Sequence, residues 1–301
     1  MPNDNTFKQL ALIGPTASGK TALSIKAAQK FDAYILSLDS LSIYKEIDIV
    51  SAKPSKEERG NILHFGLDHI RPDQHFDVKL FIDLYHQVYQ KCLEDQKNLI
   101  IVGGTSFYLK MLIDGISALP KISDVSKEKT KTFLKDIKES HAFLYTLDPD
   151  YISSIESTDA YRMEKALNIY FQTQLTPTQY FRENPPTPSI TLALPIYQIV
   201  WDRALLRKRI ALRTQLMIKE GLIDEVCMLE KKYTRTPHCM KSIGIKETLA
   251  YLDGIYDKKM LIEKITTNTA RLAKRQTTFN NSQFENVIKG SVGALEKLLV
   301  E

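Results

Sequence analysis

Three short stretches place reactive side chains directly behind apolar runs. The first, Gly14-Pro15-Thr16-Ala17-Ser18-Gly19-Lys20-Thr21, follows Leu10–Ile13 and opens a helical pattern. Gly14, Gly19, Lys20 and Thr21 have the spacing of a phosphate-binding loop, in which backbone N–H groups at a helix N-terminus cradle anionic oxygens. Lys20 would neutralise phosphate charge and Thr21 would ligate Mg²⁺. A chance match is disfavoured because the motif stands between a strand and a helix, as it must. Such a loop is a nucleotide-binding (ATP-binding) element by default, but the motif alone does not say whose phosphates it holds.

The second stretch, AYILSLDS, ends at Asp39, with Ser40 and Tyr44 following. A carboxylate there could act as a general base or a metal ligand, or cap a helix starting near Leu41. The third, NLIIVGGTSFY, ends in Gly103-Gly104-Thr105, and no acidic residue follows until Asp114. Phosphate-hydrolysing loop proteins usually carry an Asp at the end of such a strand to help hold Mg²⁺, so its lack counts against a nucleotide hydrolase. Paired glycines let a ligand or a backbone come close, and Thr105 brings a hydroxyl to the same crevice. A tight turn would also account for the glycines.

Between Trp201 and Glu220 six cations (Arg203, Arg207, Lys208, Arg209, Arg213, Lys219) face two anions. At about 100° per residue, Leu205, Leu206, Ile210, Leu212, Leu216 and Met217 form one apolar arc, with Arg209 and Arg213 inside it. A guanidinium turned toward a core requires a partner, either an internal carboxylate or a bound diphosphate. The stretch HFGLDH (His64, Asp68, His69) lacks a third metal ligand and reads as loop or packing histidines.

Several elements must position these residues. Four runs apolar on both faces, Leu10–Ile13, Ala33–Leu38, Leu99–Val102 and Leu192–Val200, read as buried parallel strands. Helical patterns cover Lys20–Lys30, Asp77–Asp95, Arg203–Glu220, Leu222–Tyr233 and Met260–Phe279. Residues 119–191 are polar, lysine-rich and helical without a strand-like run. They close on a segment holding five of the twelve prolines, which marks a boundary. The expected fold is an α/β core, 1–118 and 192–301, interrupted by a helical insertion, 119–191.

The totals suit a globular protein: 301 residues, 43% hydrophobic and 26% charged, net charge +5. No apolar run approaches the roughly 20 residues of a membrane span. The N-terminus lacks a secretory pattern, and three cysteines without a CxxC pair read as reduced thiols, so a cytoplasmic protein is expected.

Together, GPTASGKT, SLDSLSIYKEIDIVSAKP, HFGLDHIRP, VGGTSFYLKMLIDGIS and LAKRQTTF resemble, in order from residue 8 to about 280, the tRNA dimethylallyltransferases. The resemblance implies a P-loop NTPase-like core whose parallel sheet is flanked by helices, plus an all-α insertion that binds tRNA. It implies transfer of the dimethylallyl group from dimethylallyl diphosphate to the exocyclic amine of adenosine 37, beside the anticodon, with diphosphate released. Gly14 to Thr21, Arg209 and Arg213 would then bind diphosphate, with Mg²⁺ at Thr21. Asp39 would be the base, Thr105 would orient the amine, and Arg213 would stabilise the leaving group. The tRNA contacts implied are Asp39, Ser40, Leu41, Ser42, Thr105, Lys127, Arg162, Lys165, Lys241, Lys246, Arg271, Lys274 and Arg275. The partner is the anticodon stem-loop, and a monomer is expected.

Three departures stand out. Ser51 replaces the family's Thr before Ala52-Lys53-Pro54. Tyr161-Arg162-Met163-Glu164-Lys165 stands where bacterial members often carry Gln-Arg-Leu-Ser-Arg. MKSIGIK has lysines in arginine places, losing the guanidinium fork. Three other readings account for part of the pattern. They are a small-molecule P-loop kinase using ATP, an adenylate isopentenyltransferase acting on free nucleotide, and an RNA-binding module whose loop is a regulatory nucleotide site.

Overall fold

The computed structural model describes residues 7–191 and 193–301. They fall into two compact units, 1–111 with 190–301, and 112–189. The boundaries set at 119 and 191 by the change in composition differ from these. The first helix after Thr105 runs on to Asp114, and Leu112 accepts a hydrogen bond from Ser189 N at 2.9 Å, so the second unit begins earlier.

The first unit is built on β1 (Gln9–Ile13), α1 (Lys20–Lys30), β2 (Ala33–Ser37), α2 (Lys56–Arg59), β3 (His64–Phe65), α3 (Val78–Glu94), β4 (Asn98–Gly103) and the start of α4 (Ser106–Asp114), within which the boundary falls. The second contains the helices α5 (Asp124–Phe133), α6 (Ile137–Leu147), α7 (Pro149–Ile152), α8 (Ala160–Thr173) and α9 (Pro177–Glu183). The chain then completes the first unit with β5 (Ile196–Ile199), α10 (Arg203–Lys219), α11 (Leu222–Tyr233), α12 (Ile245–Leu252), α13 (Lys258–Gln283), β6 (Ile288–Gly290) and α14 (Val292–Val300).

The sheet is parallel, in the order β3-β2-β4-β1-β5-β6. Its central strands are buried on both faces because Leu12, Ile35, Ile100 and Ile101 have no water to meet on either side. Leu23, Ala27 and Ala28 of α1 and Leu295 and Leu299 of α14 cover one face. Placing β4 between β2 and β1 is what matters for function. Ile13 pairs with Gly103 and Ser37 with Val102. The three strand ends singled out in the sequence are therefore neighbours, level with one another at the carboxyl edge, where open α/β sheets bind ligands.

Two strands are absent from the sequence reading. β3 and β6 are two and three residues long and carry no buried residue, so they leave no apolar signature. The fourth expected strand, Leu192–Val200, shrinks to Ile196–Ile199, and Leu192 itself lies outside the described residues. Pro195 cannot donate to a ladder and stands at its threshold, its carbonyl accepting from Ala11 N at 2.9 Å.

In the second unit, Met163, Ala166 and Leu167 of α8 form a small core with Leu144 and Ile152. The rings of Phe133, Phe143 and Phe171 pack against it. Asp148 accepts from Tyr151 N as the cap of α7 and from both the backbone and the hydroxyl of Thr178, tying α7 to α9.

Candidate active site

The loop after β1 has the form an anion requires. Gly19 stands at the N-cap of α1 with φ +95° and offers no side-chain cap. The first-turn N–H groups therefore point outward without intrahelical acceptors. Side chains from distant elements hold the loop from outside. Trp201 Nε1 donates to Ser18 O at 2.9 Å, and Arg209 Nε donates to Ala17 O at 2.9 Å. Gln276 Oε1 accepts from Thr16 N at 2.9 Å. Arg209 also lies over the Trp201 ring, 4.6 Å from its centroid.

Lys20 Nζ donates to Pro15 O at 2.7 Å. Burial pushes this ammonium from 10.5 down to about 7, opposed by the Asp39 carboxylate and reinforced by the Arg213 guanidinium. Arg213 is held below its ordinary value by burial and by Arg209, with Asp39 pulling the other way. Its Nη1 donates to Thr16 Oγ1 at 3.2 Å. Two crowded, partly dehydrated cations beside open N–H groups form a site short of negative charge.

Arg209 and Arg213 thus meet the loop, and among the described residues neither pairs with a carboxylate. The apolar arc drawn around them is corrected by the packing. α10 buries the line Leu206, Ile210 and Thr214, the first two against Ala273 of α13. Leu205, Leu212 and Leu216 are exposed, because the neighbouring helix covers only one flank of that arc. Leu212 and Leu216 instead line a cleft of about 1180 Å³ that also takes in the loop, Asp39 and Gly103-Gly104.

Asp39 caps no helix, contrary to the second reading of the sequence. Residues 40–43 form turns, and Asp39 Oδ1 accepts from Leu41 N at 2.9 Å and Ser42 N at 3.3 Å. This local bond fixes one carboxylate oxygen and leaves Oδ2 without a protein donor among the described residues. Thr105 Oγ1 accepts from Ser40 N at 3.4 Å, so the turn after β2 and the loop after β4 touch. Gly103 is required here, since a Cβ would stand 2.6 Å from Leu38 Cβ and 3.0 Å from its backbone. Asp39, Ser40, Leu41 and Thr105 line a second cavity of about 200 Å³. Val50, Ile210, Met217 and Leu222 give this cavity an apolar lining. Thr16, Asp39, Arg213 and Gln276 border both cavities, so a group bound on the loop and a group entering beside Thr105 would meet at this partition.

The sequence missed the residues that hold the 44–54 segment. Lys53, whose side chain is 4% exposed, donates to Tyr44 O at 2.6 Å, Asp48 Oδ1 at 2.8 Å and Asp68 Oδ1 at 2.7 Å. This gives Asp68 of HFGLDH a structural task. Among the described residues, no three His, Cys, Asp or Glu side chains could gather round a metal. Glu225 of α11 accepts from three consecutive amides, Asp48, Ile49 and Val50, at 2.7–3.0 Å. Buried Glu247 ties Gly244 N to Asn268 Nδ2, each at 2.7 Å, and so anchors the SIG stretch at the second cavity.

Of the other basic residues assigned to tRNA, Lys165 is half-buried and the rest are exposed. In the second unit Lys127 pairs with Asp124 at 2.9 Å and Arg162 with Asp159 at 3.4 Å, while Lys165 lies over Tyr161. In the first unit Lys241, Lys246, Arg271, Lys274 and Arg275 follow the 3-10 turn His238–Lys241, α12 and α13. The three cysteines are free, and no helix among the described residues is long and apolar enough to cross a membrane.

The IPP transferase family model matches residues 42–283. A tRNA dimethylallyltransferase of Sulfurovum sp. is 68% identical over 98% of both chains, and one of Sulfurimonas denitrificans 56% identical over 97% of this chain and 98% of its own. Among solved structures, a tRNA isopentenylpyrophosphate transferase of Staphylococcus epidermidis superposes with a TM-score of 0.69 at 27% identity, covering 98% of this chain and 97% of its own. A eukaryotic dimethylallyltransferase described as acting on tRNA gives 0.81 at 26% identity, covering 91% and 70%.

Proposed function

This chain belongs to the IPP transferase family and is a tRNA prenyltransferase, and on that premise we propose how its residues carry the transfer. The donor is dimethylallyl diphosphate, held by Gly14 to Thr21, and the acceptor is the exocyclic amine of adenosine 37 in the anticodon stem-loop. The observation that carries the reading is the partition of Thr16, Asp39, Arg213 and Gln276 between the two cavities.

In the reaction the bond from the dimethylallyl C1 to the diphosphate oxygen breaks and a bond from C1 to the adenine N6 forms. The electron pair of the broken bond leaves with diphosphate. Its growing charge is met by the open N–H groups of α1, Lys20 and Arg213, with Arg209 reinforcing the loop from outside. An adenine amine is a weak nucleophile because its lone pair is delocalised into the ring. Removing a proton as the new bond forms makes it competent, and the free Oδ2 of Asp39 is the acceptor at hand. Thr105 Oγ1 orients the amine.

The donor set at Thr21 suits Mg²⁺, which retains water and phosphate ligands and requires few from protein. When bound, the ion would add charge neutralisation at the departing diphosphate, with the Thr21 hydroxyl as its protein ligand.

The acceptor must leave its stack to reach a pocket of this size. Lys127, Arg162 and Lys165 on the helical unit, and Lys241, Lys246, Arg271, Lys274 and Arg275 on the α/β unit, are assigned to the RNA backbone, with Ser40, Leu41 and Ser42 beside the base. The missing acidic residue after β4 follows from this chemistry, since no water is aimed at a γ-phosphate.

Incubation with labelled dimethylallyl diphosphate and either unmodified tRNA or AMP tests the acceptor. Label entering tRNA beside the anticodon is the expected result. Label entering AMP alone would move the activity to free nucleotide.

A further inference from the structure

Gln276 occupies a position the reaction above does not use. It projects from α13 between the loop after β1 and the loop after β4, and it lines both cavities. Its Oε1 accepts from Thr16 N at 2.9 Å. A backbone N–H can only donate, so the acceptor end of the amide must face it and the NH₂ end must face away. A Cβ on Gly104 would come within 2.4 Å of Nε2, so the glycine leaves room for the amide to lie against the backbone just before Thr105. Among the described residues Nε2 has no acceptor. The protein thus holds a hydrogen-bond donor in fixed orientation, unspent, beside the hydroxyl that orients the amine.

We infer that Gln276 reads the acceptor base, its Nε2 donating to a ring nitrogen that flanks the exocyclic amine of adenine, N1 or N7. This rests on the assignment of a tRNA adenosine as acceptor. Two acceptor classes reach this partition, diphosphate oxygens and base nitrogens. The diphosphate already has the loop amides, Lys20 and Arg213 as donors, whereas Nε2 lies against Gly104, the residue before Thr105, and Gln276 shares the second cavity with Thr105. Adenine offers an N–H donor at N6 with sp² nitrogens on both sides of it. Asp39 as acceptor and Gln276 as donor complement that edge. Guanine presents a carbonyl where Asp39 requires a donor and, at N1, an N–H against the Gln276 NH₂. The Asp39 contact becomes repulsive in either case and the Gln276 contact does so where it is made at N1, and a site built on hydrogen bonds rejects such a mismatch far more strongly than an apolar pocket would. Gln276 is therefore a specificity residue that at the same time braces Thr16.

The test compares anticodon stem-loops carrying adenosine, 1-deazaadenosine or 7-deazaadenosine at the acceptor position, each with the wild type and with Q276A and Q276E. Glutamate keeps an oxygen for Thr16 N and removes the donor. The wild type is expected to lose roughly tenfold in kcat/KM on one deaza substrate and little on the other, the size of one hydrogen bond. On adenosine the two variants should fall by a similar factor. They should lose nothing further on the deaza substrate that penalised the wild type. The KM of Q276E for dimethylallyl diphosphate should stay within about twofold of the wild type, because the brace survives.

A wild type indifferent to both deaza substitutions overturns the inference, and this comparison stands even if a variant fails to fold. Variants that lose equally on all three substrates also overturn it, and reduce Gln276 to a brace. Failure of the wild type to prenylate the adenosine stem-loop would overturn the acceptor assignment itself.

Discussion

Lys20 provides a quantitative handle on the loop after β1. In the free protein its ammonium titrates at about 7 because burial outweighs the attraction of Asp39. A diphosphate against the loop supplies the missing negative charge and moves the titration back toward 10.5. At pH 8 a group at about 7 is about nine-tenths deprotonated, so binding diphosphate should take up about 0.9 proton at this residue. The uptake should be about 0.5 at pH 7 and about 0.1 at pH 6. Calorimetric titration of inorganic diphosphate in buffers of different ionisation enthalpy measures it, with Lys20→Arg as the reference. Arginine stays charged throughout, and protons exchanged by the ligand itself appear in both titrations and cancel in the difference. Equal uptake by wild type and variant at pH 8 would refute the reasoning, showing either that Lys20 is not dehydrated or that diphosphate does not bind beside it. The same group affects stability with a definite sign. The unfolded chain holds this proton up to about 10.5 and the folded one only to about 7. In that window the Lys20 contribution to stability therefore rises with pH, as thermal unfolding of wild type against Lys20→Met should show.

Other perturbations follow from the contacts. Asp39→Asn should leave dimethylallyl diphosphate binding intact and lower the single-turnover transfer rate by about 10²–10⁴; a near-normal rate would remove Asp39 as the base. Gly103→Ala forces backbone apart at Leu38 and should cost about 1–3 kcal/mol in denaturant unfolding. Glu225→Ala strips three amides of their acceptor and should destabilise by about 2–3 kcal/mol, with increased hydrogen exchange at residues 48–50. Lys53→Met should cost less than the 3–5 kcal/mol of a buried pair, about 1–2 kcal/mol, because Asp48 and Asp68 are 64% and 41% exposed and regain water.

The parts of this site legible in the sequence are those encoded locally. The loop announces itself by glycine spacing between an apolar run and a helix, and α1 and α11 have the bounds their periodicity predicts. The three reactive strand ends are legible as well, because a buried parallel strand needs a continuous apolar run. Their adjacency is a property of strand order, which no local pattern writes. Asp39 shows the limit at one residue: the Asp followed by a turn reads like a helix cap, and the same side-chain-to-amide bonds form without any helix behind them. On α10 a helical wheel gives the apolar arc but not how much of it a neighbour covers, so Leu212 and Leu216 end at the cleft. Gln276, Lys53 and Glu225 act across separations of 15 to 260 residues. Nothing in a lone Gln within a basic run, or in a Lys before a proline, marks such a partner.

In the proposed reaction the loop from Gly14 to Thr21 holds the diphosphate of a prenyl donor and not a nucleotide to be cleaved. The most direct measurement is a dual-label incubation with tritiated dimethylallyl diphosphate, γ-³²P-labelled ATP, Mg²⁺ and unmodified tRNA in one tube. Tritium is expected in tRNA at the adenosine beside the anticodon, with the ³²P remaining on ATP. Phosphate leaving ATP while no tritium enters the tRNA would contradict it.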